Sequence, residues 1–301
     1  MTAYEILARG SAFIVHTAQG RALQEHGCHT CSSSSSAAVG TASSQAYGVL
    51  TASHIVAPWR WPKYYPMAWL QYVKATHTKH VLEVRDHASG ETMYEALLLP
   101  TSRHHKYRDV ALLRLDNEVE VVDTLMKDFN VQLLGLSVGG RETVVAGTQL
   151  IFHGHKVVPI SSSSSSSSSV GSDVRGNIAG VDNPSTNGET ILSASDDRVS
   201  VPLVVSGIFR ESTSDQGFAA TSPVLVDGMC GGPVIVMNND NPEDGGEQHP
   251  VSVGLIEGVG SGNNTGELEG FRGLAVFVDG TELQQWTFSA HRGEGAFYDE
   301  I

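Results

Sequence analysis

Cys230 lies in a glycine-rich hexapeptide, Gly-Met-Cys-Gly-Gly-Pro at residues 228–233. Glycines on both sides permit a tight turn that presents the thiol to solvent. A thiolate can attack a carbonyl carbon when a base and an oxyanion-stabilising site lie beside it. We therefore take Cys230 as a candidate nucleophile. The alternative is an inert cysteine in a turn, although a structural cysteine does not require the surrounding glycines.

Two residues earlier in the chain could complete a catalytic triad with this thiol. His54 follows the segment Gly-Val-Leu-Thr-Ala-Ser at 48–53, and Asp109 opens the apolar run at 110–115. A histidine beside a nucleophile acts as its base, and a carboxylate on the other ring nitrogen fixes the tautomer. We predict His54 as the base and Asp109 as the orienting acceptor, with Asp116 a weaker competitor for the second role.

Acyl transfer also needs two backbone N–H donors aimed at one point and a pocket for the substrate. The glycine turn could supply the donors from Gly228 and Cys230. We predict pocket walls that include Val224, Glu257 and Gly258, with an uncharged base around Val224. A carboxylate at position 257 would repel Asp109 unless it points away.

The chain order of histidine, aspartate and then a nucleophile in a glycine turn resembles that of the chymotrypsin-like proteases, with cysteine in place of serine. Residues 10–15, Gly-Ser-Ala-Phe-Ile-Val, look like the first-strand signature of the HtrA/Deg-type members. Residues 253–255 and 273–276 match the second barrel of that family in order. The resemblance covers roughly residues 8–280 and implies two packed antiparallel β-barrels that carry a Cys-His-Asp endopeptidase site.

The sequence departs from related enzymes at two places that bear on activation and specificity. Met229 stands where trypsin-type enzymes carry the aspartate that receives a freed N-terminus, so we expect no activation of that kind. The Gly-x-Cys-Gly-Gly pattern also occurs in the picornavirus cysteine proteases, whose glutamine-reading pocket uses a histidine on the following strand. Residues 253–258 contain no histidine, so we expect no glutamine specificity.

Composition and patterning favour an all-β protein. The chain has 301 residues, of which 32 are glycine and 17% are charged, and short β-branched runs alternate with Gly, Ser, Asn and Asp. We predict a double barrel closed by a short helix at 281–286. The predicted strands are 12–15, 47–51, 81–85, 96–99, 110–115, 148–153, 201–209, 234–237, 251–257 and 273–278.

We divide the chain into a first barrel at 1–135, which carries His54 and Asp109, and a second at 136–301, which carries Cys230. Serine runs at 32–36 and 161–169 lack apolar surface and are typical of flexible loops. We predict that residues 161–200 form one disordered insertion.

The charge and the cysteine content restrict partners and location. A net charge of −14 disfavours binding to nucleic acid or an anionic membrane. Three cysteines cannot build a multi-disulfide framework, and we find no signal peptide, so we expect an intracellular, reducing compartment such as the cytoplasm. We expect a peptide or protein substrate and no cofactor or metal, and the oligomeric state stays open.

Three other patterns have simpler interpretations. Cys28 and Cys31 form half of a zinc or redox motif without a second ligand pair. His153 and His155 alternate along a predicted strand, where a solvated pair is favoured over zinc. The aromatic segment 59–72 follows His54 and could form a wall of the substrate cleft, a partner surface, or an insert packed on the first barrel.

The sequence therefore predicts an endopeptidase with a Cys230–His54–Asp109 triad. The alternative is a catalytically silent barrel that binds peptides or partner proteins, since a larger sulfur can spoil a geometry built for serine.

Overall fold

The computed structural model describes residues 6–17, 47–86, 88–137, 144–159, 198–236, 251–260 and 272–291. Within these ranges the chain is mostly β, with helix α1 (Ser53–Val56), helix α2 (Glu118–Asp128) and the C-terminal helix α3 (Gly280–His291). The strands are β1 (Ala12–His16), β2 (Tyr47–Thr51), β3 (Val81–Arg85), β4 (Thr92–His104), β5 (Ala111–Leu115), β6 (Gly135–Leu136), β7 (Gln149–Pro159), β8 (Arg198–Ser212), β9 (Gln216–Ser222), β10 (Pro233–Val236), β11 (Val251–Val259) and β12 (Ala275–Asp279).

The first half of the chain forms a half-barrel of five antiparallel strands in the order β1-β2-β5-β4-β3. The apolar residues on one face of this sheet are covered by α2. Val122 and Leu125 of α2 pack there with Val49, Leu113 and Leu115 of the sheet. This packing fixes the ends of β2 and β5, and the segments at these ends carry His54 and Asp109.

The second half closes into a six-stranded barrel. The strands follow the order β10-β7-β8-β9-β12-β11, and β11 pairs with β10 to complete the circle. Closure removes the free sheet edges. Its interior holds large buried side chains such as Phe152, Phe277 and Met229. β6 adds to this barrel by parallel pairing with β11.

A separate apolar layer joins the two halves. Phe13 and Leu50 from the half-barrel lie in one buried cluster with Leu255, Val278 and Leu283 from the second half. Because interiors of this kind are close-packed, the layer holds the two sheets in one relative position. Residues on facing ends of the two sheets are therefore brought into a fixed arrangement.

The predicted all-β double-barrel class with a C-terminal helix is confirmed, and each predicted strand overlaps an observed one. The first of the two units is a half-barrel, because its described residues form an open sheet of five strands. The predicted domain boundary between residues 135 and 136 falls inside β6, which pairs with the second barrel.

One expected loop region is partly strand. Residues 198–200, assigned to a disordered insertion, begin β8 and pair with Val157, Val158 and Pro159 of β7. The valines at 199 and 201 extend the alternating pattern of β8 backwards, and this pattern extends the hairpin. The rest of the predicted insertion, both serine runs, and the Cys28–Cys31 pair lie outside the described residues.

Sequence analysis missed α2, β6 and β9. None of the described helices is long and apolar enough to cross a membrane.

Candidate active site

His54, Asp109 and Cys230 come from three different elements and meet at one cleft. His54 lies in the single turn of α1 directly after β2, where Ala52 is fully buried and the chain packs closely. Asp109 ends the connection between β4 and β5. Cys230 lies in the turn between β9 and β10. The structure thus brings together the three residues that the sequence singled out.

His54 is held by Asp109 through two hydrogen bonds. The backbone N–H of His54 donates to Asp109 Oδ1 at 2.8 Å, and His54 Nδ1 bonds with Asp109 Oδ2. Both residues are buried, with 6% and 8% of their surface exposed. These two bonds fix the ring through Nδ1 and leave Nε2 for Cys230, whose side chain lies near enough to raise the pKa of the imidazole.

The environment of His54 favours its charged form. Burial on its own lowers the pKa of the imidazole, but the Asp109 carboxylate and the Cys230 side chain together raise it from 6.5 to about 9. At neutral pH the ring therefore carries a proton that it can share with the sulfur. An imidazolium beside a cysteine stabilises the thiolate, which is the nucleophilic form.

The turn that carries Cys230 is clamped by hydrogen bonds from both halves of the molecule. Ser11 N–H donates to the Cys230 carbonyl at 3.0 Å, and Gly231 N–H donates to the Ile256 carbonyl at 2.8 Å. Gly228 and Gly231 have φ values of +96° and +87°. A Cβ at position 231 would lie 2.3 Å from the Ser11 carbonyl oxygen, so only glycine fits there.

The backbone of this turn has two N–H groups without acceptors among the described residues, those of Gly228 and Cys230. The Asp227 carbonyl accepts from Val157 N–H at 3.5 Å, and the Met229 carbonyl accepts from Gly232 N–H at 3.1 Å. In a trans peptide the N–H points opposite to the C=O. The N–H groups of residues 228 and 230 therefore point away from those partners and are available as donors.

Ser11 is a site residue that sequence analysis noted only as part of a first-strand pattern. It is 2% exposed, and its hydroxyl donates to the Gly228 carbonyl at 2.7 Å and accepts from His155 N–H at 2.9 Å. Its own carbonyl accepts from the Thr51 hydroxyl at 2.7 Å. Ser11 thus connects the end of β2, the strand β7 and the nucleophile turn. The sequence signal that could have identified Ser11 is a small polar residue directly before an apolar strand.

No family model matches the chain, and no curated protein matches it.

The cleft has a volume of about 920 Å³. Its walls include the predicted pocket residues Glu257 and Gly258. Val224 does not line it and is 53% exposed, while its neighbours Leu225 and Val226 do. The other aliphatic wall residues are Ile55, Val157, Ile256, Val259 and Val276, and the segment 6–9 also lines the cleft.

Aromatic residues of the segment 59–72 form the opposite wall beside His54. The Tyr64 ring stacks on the imidazole, with centroids 5.1 Å apart and planes 23° apart. Trp61 meets the same ring edge-on at 6.2 Å. Burial, with the charges of Cys230 and Asp109, raises the pKa of Tyr65 to about 12, so its hydroxyl stays protonated. This segment is therefore part of the cleft.

Glu257 does not point away from Asp109 as electrostatic repulsion alone would require. Its Oε1 accepts the backbone N–H of Asp109 at 3.2 Å, and its Oε2 accepts from Gln216 Nε2. Burial raises the pKa of this carboxyl. Its backbone carbonyl accepts the Cys230 thiol at 3.4 Å.

His104 ends β4 and is 2% exposed, where it hydrogen-bonds Ser53 and Ser102. Burial, followed by the charges of Arg60 and His80, lowers its pKa to about 4. Burial also lowers the pKa values of His153 and His155. Among the described residues no group of His, Cys, Asp or Glu could hold a metal ion.

Proposed function

We propose that this protein is a cysteine endopeptidase of the chymotrypsin-like type. The observation that carries the proposal is that the His54 imidazole bonds to the Asp109 carboxylate in the same cleft as the Cys230 thiol, which also raises the pKa of the ring. Two unpaired backbone N–H groups in the nucleophile turn support it, because acyl transfer needs both features together. An inert cysteine requires neither.

In the proposed reaction the Cys230 thiolate attacks the carbonyl carbon of a peptide bond. The carbonyl electron pair moves to oxygen, and the N–H groups of Gly228 and Cys230 stabilise the negative charge. When the C–N bond breaks, the imidazolium of His54 gives its Nε2 proton to the leaving amine. A thioester remains on Cys230.

Water then hydrolyses the thioester. His54, now neutral, takes a proton from the water as its oxygen attacks the thioester carbon. The C–S bond breaks, the carboxylic acid product leaves, and the imidazolium–thiolate pair is restored. Every proton in this sequence has a donor and an acceptor in the triad or the substrate, so the chemistry requires no cofactor.

The cleft indicates the class of substrate. An open groove between two β structures suits an extended peptide that adds as a strand. The aliphatic walls at Leu225, Val226, Val259 and Val276 favour an uncharged, apolar side chain near the bond that is cut.

The test is cleavage of a proteome-derived peptide library, read by mass spectrometry. Wild type is compared with Cys230→Ala and with His54→Ala, each checked for native circular dichroism. Cuts made only by wild type, with apolar residues enriched at one position, are expected. Identical peptide profiles from folded proteins contradict the proposal. Peptide capture without cleavage in that case favours the silent barrel that binds peptides or partner proteins.

A further inference from the structure

The segment that carries Asp109 is attached to the second barrel at three points. His105 Nε2 contacts Glu282 Oε1 of α3 at 3.0 Å. Arg108 Nε donates to Asp215 Oδ2 at 2.7 Å. The backbone N–H of Asp109 donates to Glu257 Oε1 at 3.2 Å. A segment that belongs to the half-barrel by sequence is therefore located by the barrel that carries Cys230.

Glu257 reaches Asp109 because of an irregularity in β11. The pairing of β11 with β12 shifts register between Ile256 and Gly258, so Glu257 is the extra residue of a bulge. A bulge redirects a side chain that regular pairing would place elsewhere. Here it turns a carboxylate toward the triad, while the carbonyl of the same residue accepts the Cys230 thiol.

Two further residues make this arrangement electrostatically acceptable. Gln216 donates an amide hydrogen to Glu257, and Arg108 places a positive charge near both Glu257 and Asp215. Arg108 and Asp109 are neighbours in the chain, as are Asp215 and Gln216. Arg108 pairs directly with Asp215, and Asp109 is joined to Gln216 through Glu257.

We propose that Glu257, Gln216, Arg108 and Asp215 form an inter-barrel clamp whose role is to set the position of Asp109 and, through it, of His54 relative to Cys230. The inference rests on the proposed endopeptidase function. His54 takes its position from the Asp109 side chain, and Cys230 contacts the Glu257 carbonyl. The members of the clamp are positioning residues, because they act through Asp109.

The first test compares Glu257→Ala with Glu257→Gln. Displacements of about 1 Å in such a site reduce the rate on the order of 100-fold, so Glu257→Ala is expected to lower kcat by about 10- to 100-fold and to change KM less than about 3-fold. Glu257→Gln is expected to lose less. Its amide oxygen can still accept from Asp109 N–H, and its NH₂ can donate to Gln216 once that amide is flipped.

The second test exchanges the charges of Arg108 and Asp215. Arg108→Asp and Asp215→Arg should each lower kcat, and the double variant should recover at least half of the lost rate on a logarithmic scale. The matched control is the same exchange in the exposed pair Asp123 and Lys127 on α2, which lies at 2.8 Å and touches no site residue. That exchange should leave kcat unchanged.

A readout that needs no substrate separates the clamp from the proposed function. The rate of Cys230 alkylation by iodoacetamide is measured against pH in wild type, His54→Ala, and the clamp variants. If the clamp positions His54, Glu257→Ala shifts the acid limb of the profile in the direction of His54→Ala, and the charge-exchanged double variant shifts it back.

The outcomes are distinct. Wild type that cuts no peptide, with an alkylation profile that still responds to the clamp variants, overturns the endopeptidase and supports the clamp. Folded clamp variants with wild-type kcat and a wild-type profile overturn the clamp alone. If Glu257→Ala does not fold, the charge exchange decides: failure of the double variant to recover either readout overturns the clamp.

Discussion

The Asp109 carboxylate fixes the orientation of the His54 ring and favours its charged form. Nδ1 bonds to Asp109, whose Oδ1 also accepts the backbone N–H of His54, so the ring cannot turn without losing the bond at Nδ1. The net effect of burial and these partners is a pKa of about 9. At the residue scale, the fold thus stabilises an imidazolium in a place where burial alone would remove the proton.

Asp109→Asn should lower the pKa of His54 from about 9, because burial remains and the carboxylate charge is lost. NMR titration of the imidazole C–H resonances in wild type and variant measures this. A midpoint that stays near 9 in the variant would assign the stabilisation to another group.

The same shift makes stability depend on pH. His54 has a folded pKa above its unfolded value, so its contribution is complete below pH 6.5 and is lost as the pH rises to about 9. The stability gap between wild type and Asp109→Asn, measured by urea unfolding, should narrow across that range. Asp123→Asn on the exposed face of α2 is the control, and the difference in its unfolding free energy from wild type should stay constant across that range. A gap that widens with pH contradicts the assignment.

Ser11 offers a second test at this scale. Ser11→Ala removes the hydroxyl that donates to the Gly228 carbonyl and accepts from His155 N–H. Both groups then lose this hydrogen-bond partner in the interior. We expect a loss of about 1–3 kcal/mol in unfolding free energy, with slower alkylation of Cys230. Ser89→Ala in an exposed turn should change stability by less than about 0.5 kcal/mol. Equal effects of the two variants would remove Ser11 from the site.

At the scale of elements, the segment between α1 and β3 shapes the cleft. Its 3₁₀ turns at Pro58–Arg60 and Ala68–Tyr72 fold it back over the half-barrel, and Leu70 anchors it with 2% exposure. The rings of Trp61 and Tyr64 consequently lie against His54. One element therefore both covers His54 and forms a wall of the cleft.

Tyr64→Leu should lower kcat/KM by about 2- to 10-fold, since a stacked ring pair contributes about 0.5–1.5 kcal/mol. Tyr64→Phe keeps the ring and should stay near wild type. Tyr72→Leu is the matched control, because Tyr72 belongs to the same segment, is 74% exposed and does not line the cleft. Steady-state kinetics on one peptide identified from the library measures all three. Equal losses for Phe and Leu would implicate the hydroxyl instead of the ring.

Elements with a regular local pattern could be predicted from the sequence, and elements defined by distant partners could not. The central strands are apolar, β-branched runs, and they were found. α2 was missed because its run of valines resembles a strand, although its buried Val122 and Leu125 have helical spacing. β9 contains Gly, Ala and Ser, and its strand form depends on pairing with β8 and β12. Such pairing leaves no local signal.

The same contrast between local patterns and distant partners applies to the candidate site. The triad residues were predicted because each lies in a short motif with a chemical meaning. The contacts of Arg108 with Asp215, and of Glu257 with Asp109, join positions more than a hundred residues apart and depend on a bulge. An isolated carboxylate at position 257 gave no sign that Gln216 would satisfy it.

At the scale of the whole molecule, the triad depends on the layer between the two halves. The buried cluster of Phe13, Leu50, Leu255, Val278 and Leu283 joins the sheet that carries His54 to the barrel that carries Cys230. Neither half contains a complete site. If the two halves moved apart, neither of them would hold His54, Asp109 and Cys230 together.

This dependence predicts one cooperative unfolding transition. The described tryptophans Trp59, Trp61 and Trp69 belong to the first half, and Trp286 belongs to α3. Two variants are compared, one that keeps only the tryptophans of the first half and one that keeps only Trp286. Their urea unfolding transitions, followed by tryptophan fluorescence, should coincide. Leu255→Ala should lower the unfolding free energy by about 2–5 kcal/mol in both reporters. Two separate midpoints in wild type would show that the halves unfold independently.

The long β7–β8 hairpin determines where the sequence can vary in length. Pro159 and Arg198 are directly paired, so the chain leaves the barrel and returns to it at one place. The number of residues between them is therefore uncoupled from the barrel that presents Cys230. Extra length between two paired strand ends adds little to the free energy of closing the loop, since each doubling of a flexible loop's length adds only about 0.6 kcal/mol. The hairpin end is an attachment point at which sequence can be lengthened, shortened or exchanged while the triad keeps its geometry.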